Sequence, residues 1–159
     1  MTVINDALDY TKLEAGKMKL ESISFEIQQV TAGVASAILP KAEFKGLVVH
    51  NQACKEVPNK VVGDPIRLRQ ILLNLCHNAV KFTNSGTISV DVRRLQDDET
   101  GRYQLRFEVK DSGIGISKNN MSNIFLKYRQ ADTSTARNYG GTGRFPPDNN
   151  RFPFVVYNF

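Results

Sequence analysis

The sequence predicts an α+β fold, a two-layer α/β sandwich with helices on one side of a mixed sheet, a helical stub in front and a C-terminal end that breaks off early. Two observations carry this. Ile88, Val90 and Val92, then Leu105, Phe107 and Val109, alternate with polar residues as half-buried strands do, and the stretch from Asp97 to Gly101 between them suits a hairpin turn. Ahead of them, two stretches space their apolar residues three or four apart, which gathers those residues on one face of a helix. A chain of 159 residues has room for one such domain plus a helical stub.

Each element follows from its own pattern. Met1, Ile4, Leu8, Thr11, Ala15 and Met18 alternate three and four apart, a heptad seam broken only by Thr11, and such a seam wants a partner helix. On its own the stretch is simply an amphipathic helix. Phe25, Ile27, Val30, Val34, Ile38 and Ala42 predict a second helix, stopped near Pro40 to Gly46, and Leu47 to His50 a first strand. Asp64-Pro65 is a strong helix start: the carboxylate caps free N–H groups, and the fixed φ of proline suits the first turn. From there Ile71, Leu72, Leu75, Ala79 and Phe82 fall on one side of the helix, and Arg67, Gln70, Asn74, Asn78 and Lys81 on another. Thr87–Val92 and Tyr103–Val109 form the hairpin. The last stretch, RFPPDNNRFPFVVYNF, has three prolines and no helical period, so a mobile tail is expected there, an improvised strand of Phe152, Phe154, Val155, Val156 and Tyr157 being the alternative that their spacing does not show.

The polar stripe is where chemistry enters. Asparagine is a poor helix former because its amide competes for backbone hydrogen bonds, so Asn74 and Asn78 a turn apart beside Lys81 suggest a site. A carboxamide oxygen is a hard neutral ligand suited to Mg²⁺, and a lysine supplies a point charge for phosphate. Taken alone, such a stripe is more often a solvated helix face. A second element shifts the balance: the strand ending at Val109 runs into Asp111, Ser112, Gly113, Ile114, Gly115. The alternate glycines permit close backbone approach or positive φ, and the aspartate can accept from an exocyclic amine, although DxGxG by itself is equally a plain turn. A third element, Asn138, Tyr139, Gly140, Gly141, Thr142, Gly143, is a glycine-rich turn with a hydroxyl, suited to wrapping phosphates. It is neither a Walker A loop nor a dinucleotide fingerprint, since no strand feeds it and no lysine follows.

In this order the three elements resemble the catalytic ATP-binding domain of sensor histidine kinases, within the wider family of gyrase, Hsp90 and MutL ATPases with its Bergerat-type fold. NLCHNAVKF is similar to the N box, DSGIGI to the G1 box, IFLKYRQAD to the F box and GGTG to the start of the G2 box. The resemblance implies ATP and Mg²⁺ as cofactors, with Asn78 on the metal and Asn74 and Lys81 on the phosphate side. It implies that Asp111 receives the adenine amino group, with Gly113 and Gly115 forming the pocket edge. Residues 119–139 would be an ATP lid anchored by Phe125 and Tyr128, whose plainer role is core packing; Lys127, Arg129 or Gln130 would reach the phosphates, and Gly141, Thr142 and Gly143 would wrap them. INDALDYTKLEAGKMKLE resembles the end of the second helix of the kinase dimerisation and phosphoacceptor domain, which the cousin ATPases do not carry.

Two departures stand against this pattern. The phosphoacceptor box is absent, and neither histidine replaces it: His50 reads as a structural strand residue, and His77, next to Asn78, reads as packing or hydrogen bonding in preference to brushing the nucleotide. After GGTG the family continues Leu-Gly-Leu into a long helix and two strands, whereas Arg144, Phe145, Pro146 and Pro147 follow here. The expected organisation is therefore residues 1–22 as the end of a dimerisation helix and linker, 23–143 as an incomplete ATP-binding domain, and 144–159 as an aberrant tail. A hybrid-type kinase region is the resulting expectation, inactive as this chain alone. Its expected partners are ATP, a second copy through the N-terminal helix, and a receiver domain or response regulator. A regulatory nucleotide-binding fragment and a non-kinase ATPase of the same fold are the alternatives, the latter disfavoured by the lack of a carboxylate base in the N box.

Composition adds little. The net charge of +5 comes from scattered basic residues, which ATP and acidic protein surfaces explain as well as nucleic acid would, so no nucleic acid is expected. Cys54 and Cys76 lack metal-ligand spacing, and Cys76 sits in an apolar helix as a buried thiol would. Without a signal peptide or apolar span the expectation is a soluble fragment on the cytoplasmic side, compatible with a membrane-anchored parent.

Overall fold

The hairpin forms the middle of the sheet. In the structure, a computed structural model describing residues 19–95 and 104–115 and the backbone of 154–158, β4 (Thr87–Arg94) and β5 (Gln104–Asp111) pair antiparallel, with Val90 opposite Val109 and Val92 opposite Phe107. Ile88, Val90, Val92, Leu105, Phe107 and Val109 all turn inward and are buried. The opposite face carries like charges across the ladder, Asp91 facing Glu108 and Arg93 facing Arg106. Such pairs repel, and Lys110 relieves the acidic one by reaching Asp91 at 2.8 Å and Glu108 at 3.1 Å. That ammonium holds its proton more firmly than an ordinary lysine, because it donates hydrogen bonds to Asp91 and Glu108.

Two helices cover the inner face. α1 (Ile27–Phe44) contributes Ile27, Val34, Ile38 and Ala42, and α2 (Pro65–Phe82) contributes Leu68, Leu72, Leu75, Cys76 and Ala79. Each Leu, Ile or Val side chain so buried is worth about 1.5–3 kcal/mol. Burial alone pushes the Cys76 thiol up to about 12, so it packs as an inert apolar group. β2 (Val48–Ala53) joins the sheet parallel to β4. β1 (Ile23–Glu26) and β3 (Lys60–Gly63) form a separate two-stranded antiparallel ribbon, with Phe25 opposite Val61. The α+β class is thus realised as helices on one side of a mixed sheet.

Several boundaries differ from expectation. Phe25 belongs to β1 and not to the helix after it, because its partner strand lies far along the chain and local periodicity cannot see it. The helix ends at Phe44, inside the expected stop between Pro40 and Gly46, and runs through Pro40 to reach it. Proline removes one intrahelical hydrogen bond, but here it lies exposed, and the burial of Ile38 and Ala42 on either side holds the helix together. The expected strand from Leu47 begins one residue later and continues to Ala53. Phe154–Asn158, expected to be mobile, form a strand, β6, paired antiparallel with β5 from Glu108 to Gln104. An apolar run that offers no pattern of its own takes one from the exposed edge of β5. The heptad seam before residue 19, the lid, the glycine turn at 140–143 and residues 144–153 lie outside the described residues.

Candidate nucleotide site

The site begins with the cap of α2. Asp64 Oδ1 accepts the Arg67 N–H at 2.9 Å and Oδ2 accepts the Glu21 N–H at 3.1 Å, with Pro65 in the first turn. Burial works to raise this carboxyl, but the backbone donors of Arg67 and Glu21 and the Arg67 charge outweigh it and hold the group below its ordinary range. So fixed, the helix presents the polar stripe: Asn74 is exposed, and Asn78 and Lys81 are half-buried. The Lys81 ammonium stands 5.0 Å from the centroid of the Phe82 ring, and its partial burial lowers its proton affinity.

The helix ends against the loop after β5, and this contact joins two of the motifs. Thr83, fully buried at the helix C-cap, returns its N–H to Ala79 and donates its hydroxyl to Asp111 Oδ1 at 3.4 Å. The same oxygen accepts the Gly113 N–H at 2.8 Å, and the Ile114 N–H reaches the Phe82 carbonyl at 3.3 Å. A Cβ on Gly113 would lie 2.5 Å from that carbonyl and 2.9 Å from the Thr83 hydroxyl, so only glycine lets the loop approach. Gly115 has φ +66 with open space around it, so backbone freedom is its contribution. Ser112 ties the loop to β4 on the other side, its Oγ accepting the Thr87 N–H at 2.9 Å and its N–H reaching the Thr87 carbonyl at 3.1 Å.

The structure therefore brings Asp111 and Gly113 to the end of the helix that carries Asn74, Asn78 and Lys81. Lys127, Gly141, Thr142 and Gly143 lie outside the described residues. His50 is exposed on β2, as a strand residue. His77 is not packed: it stands largely exposed at a groove of about 830 Å³ shared with Pro40, Lys41 and Phe44 of α1. Partial burial, and then the Lys41 charge, make it a weaker base than ordinary histidine. Sequence reasoning missed Thr83 and Ser112. Their signals were slight, a hydroxyl directly after the last helical residue and another directly after the aspartate.

Comparisons with known proteins give the family and the fold. The model of the family described as histidine kinase-, DNA gyrase B-, and HSP90-like ATPase matches residues 63–145, just over half of the chain, and the chain belongs to this family. It is 41% identical over 143 residues to the signal transduction histidine-protein kinase BarA of Escherichia coli strain K12, covering 90% of this chain and 16% of BarA. It is 41% identical over 144 residues to the sensor protein GacS of Pseudomonas syringae pv. syringae, again 90% of this chain and 16% of the relative. The hybrid signal transduction histidine kinase L of Dictyostelium discoideum is 36% identical, with 8% of its length covered. The chain thus spans less than a fifth of these curated relatives. Among solved structures, full-length ShkA in complex with AMPPNP superposes with a TM-score of 0.69 at 30% identity, over 85% of this chain and 28% of that one. The catalytic domain of the histidine kinase ThkA shares the fold, with a TM-score of 0.57 at 20% identity over 79% of this chain and 74% of that one.

Proposed function

We propose that this chain is the ATP-binding catalytic region of a hybrid-type sensor histidine kinase, which in the full-length protein transfers the γ-phosphoryl of ATP to a histidine. The observation that carries the reading is the hydrogen-bonded junction of Thr83, Asp111 and Gly113, which sets an amine acceptor beside the helix bearing two carboxamides and a lysine. Asp111 Oδ1 is engaged by Thr83 and Gly113, which leaves Oδ2 to accept the adenine amine and so select adenine over guanine. The missing side chain at Gly113 lets the loop close onto α2, which holds Asp111 where a purine amine could reach it. Asn78, half-buried one turn before the helix end, is a fitting neutral oxygen ligand for Mg²⁺, while Asn74 and Lys81 face the phosphates. A bound Mg²⁺ would neutralise phosphate charge as the phosphoryl departs. What the chain itself does is position the nucleotide, exclude guanine and place the Lys81 charge; Lys127, Gly141, Thr142 and Gly143 would complete the phosphate end.

The ShkA complex with AMPPNP supports a nucleotide in this fold. ThkA has been solved with a response regulator protein, TrrA, which supports a receiver or response regulator as partner; a second copy paired through the N-terminal helix is proposed from the heptad seam alone. No described helix is long and apolar enough to cross a membrane; a cytoplasmic position is proposed with the kinase role. Titration calorimetry of the chain with Mg·ATP and Mg·GTP tests the nucleotide reading. Binding of ATP with little GTP, abolished in Asp111→Asn, is expected; equal affinity for both nucleotides, or an unaffected variant, would overturn it.

A further inference from the structure

We infer that Lys45 is a positioning residue for the nucleotide site, acting through the C-terminus of α2 without touching the ligand; the inference rests on the nucleotide reading above. Lys45 lies at the C-cap of α1, where its N–H returns to the Ala42 carbonyl at 3.0 Å. Gly46, at φ +68, then reverses the chain, its N–H reaching Glu43 at 2.9 Å, while Leu47 bonds back to Ala42 at 2.9 Å and is buried. This glycine-terminated helix end fixes the backbone from which the lysine projects.

The ammonium crosses to the other helix. Nζ donates to the carbonyls of Val80 at 2.7 Å, Lys81 at 3.1 Å and Thr83 at 3.2 Å, so all three of its donors are spent on the last turn of α2. Those carbonyls have no partner within the helix, and the negative end of the helix dipole favours a cation there. The residues it grips are also those that build the site. Lys81 carries the phosphate-side charge, and Thr83 donates to the carboxylate that would read adenine. Val48, opening β2, donates to Gly86 at 3.0 Å, in the turn that Ser112 closes from the other side through Ser85. Lys45 therefore locks the junction on which both ends of the nucleotide would rest, from a position in a different helix. Arginine could bridge two of these carbonyls with its fork; methionine keeps the stem and loses every donor.

The test compares the full chain with Lys45→Met, Lys45→Arg and Lys41→Met, the last making the same charge change one turn earlier on α1. Amide hydrogen exchange by NMR on nucleotide-free protein and calorimetry with Mg·ATP are the two readouts. For Lys45→Met, exchange at Thr83, Gly113 and Ile114 should accelerate about tenfold while the amides of Val34 and Leu72 keep their protection, and the Kd for Mg·ATP should rise about tenfold, the scale of losing charged hydrogen bonds. Lys45→Arg should recover part of both effects, and Lys41→Met should show neither. Unchanged exchange at the three junction amides, or acceleration spread evenly over the whole chain, would overturn the inference. If the unsubstituted chain binds no ATP, the nucleotide reading fails, and the exchange pattern still decides whether Lys45 holds the junction.

Discussion

At the scale of single residues, what matters is what each side chain's last hydrogen-bonding group meets. Asp64 accepts two backbone donors, and losing a helix cap costs about 0.5–2 kcal/mol, so Asp64→Ala should destabilise the chain by about that much at neutral pH. The sign of the pH dependence follows from the lowered folded pKa. The stabilisation is present above the ordinary aspartate value of about 3.9 and is lost as pH falls through the lower folded value. Urea melts should therefore converge for the two proteins in strong acid; a constant difference down to the acid limit would contradict the assignment. His77 gives a second outcome. It sits on α2 and His50 on β2, neither in a phosphoacceptor box, so incubation with γ-³²P-ATP should leave no acid-labile phosphate on either although both are exposed. Label on one of them would show a phosphoacceptor of a different kind from the one proposed.

At the scale of elements, legibility in the sequence followed the range of the interaction. α2 was readable almost to its ends, because Asp64-Pro65 and a three-to-four spacing are local signals, and the stripe Asn74, Asn78 and Lys81 came with it. The two hairpin strands were readable because their alternation is contiguous, although each runs past its expected C-terminal end, to Arg94 and to Asp111. β1 and β3 were not, since Ile23–Glu26 has meaning only against Lys60–Gly63. The same holds within the site. Asp111, Gly113 and Gly115 stood out as a motif, whereas the contacts of Thr83 and Lys45 exist only where two elements meet. Gly113→Ala tests that meeting. With 2.5 Å between a new Cβ and the Phe82 carbonyl, the loop must move off α2, so nucleotide affinity should fall while the melting midpoint, set by the core, changes little. Calorimetry and a thermal melt on the same preparation would check this, and undiminished nucleotide affinity would mean that the loop has room the contact denies.

At the scale of the molecule, the sheet decides whether the site stays assembled. Asp111 ends β5, and β5 is held by β4 on one edge and β6 on the other. Folded domains are stable by only about 5–15 kcal/mol, so an edge strand contributing even a few hydrogen bonds at about 1 kcal/mol each has weight in that balance. An antiparallel pairing also makes a sharper demand, because successive residues of a strand direct their N–H groups to opposite edges. Of Val155 and Val156, which sit opposite Phe107 and Arg106, one must donate toward β5 and the other away from it. Proline removes the N–H in either case but breaks the ladder only in the first. Val155→Pro and Val156→Pro, made singly, should therefore differ: one should lower the melting midpoint and expose to exchange those amides between Gln104 and Glu108 that face β6, while those bonded to β4 keep their protection, and the other should do markedly less. Two equal and negligible effects would remove β6 from the folded structure, and with it the edge that keeps β5, and hence Asp111, in place.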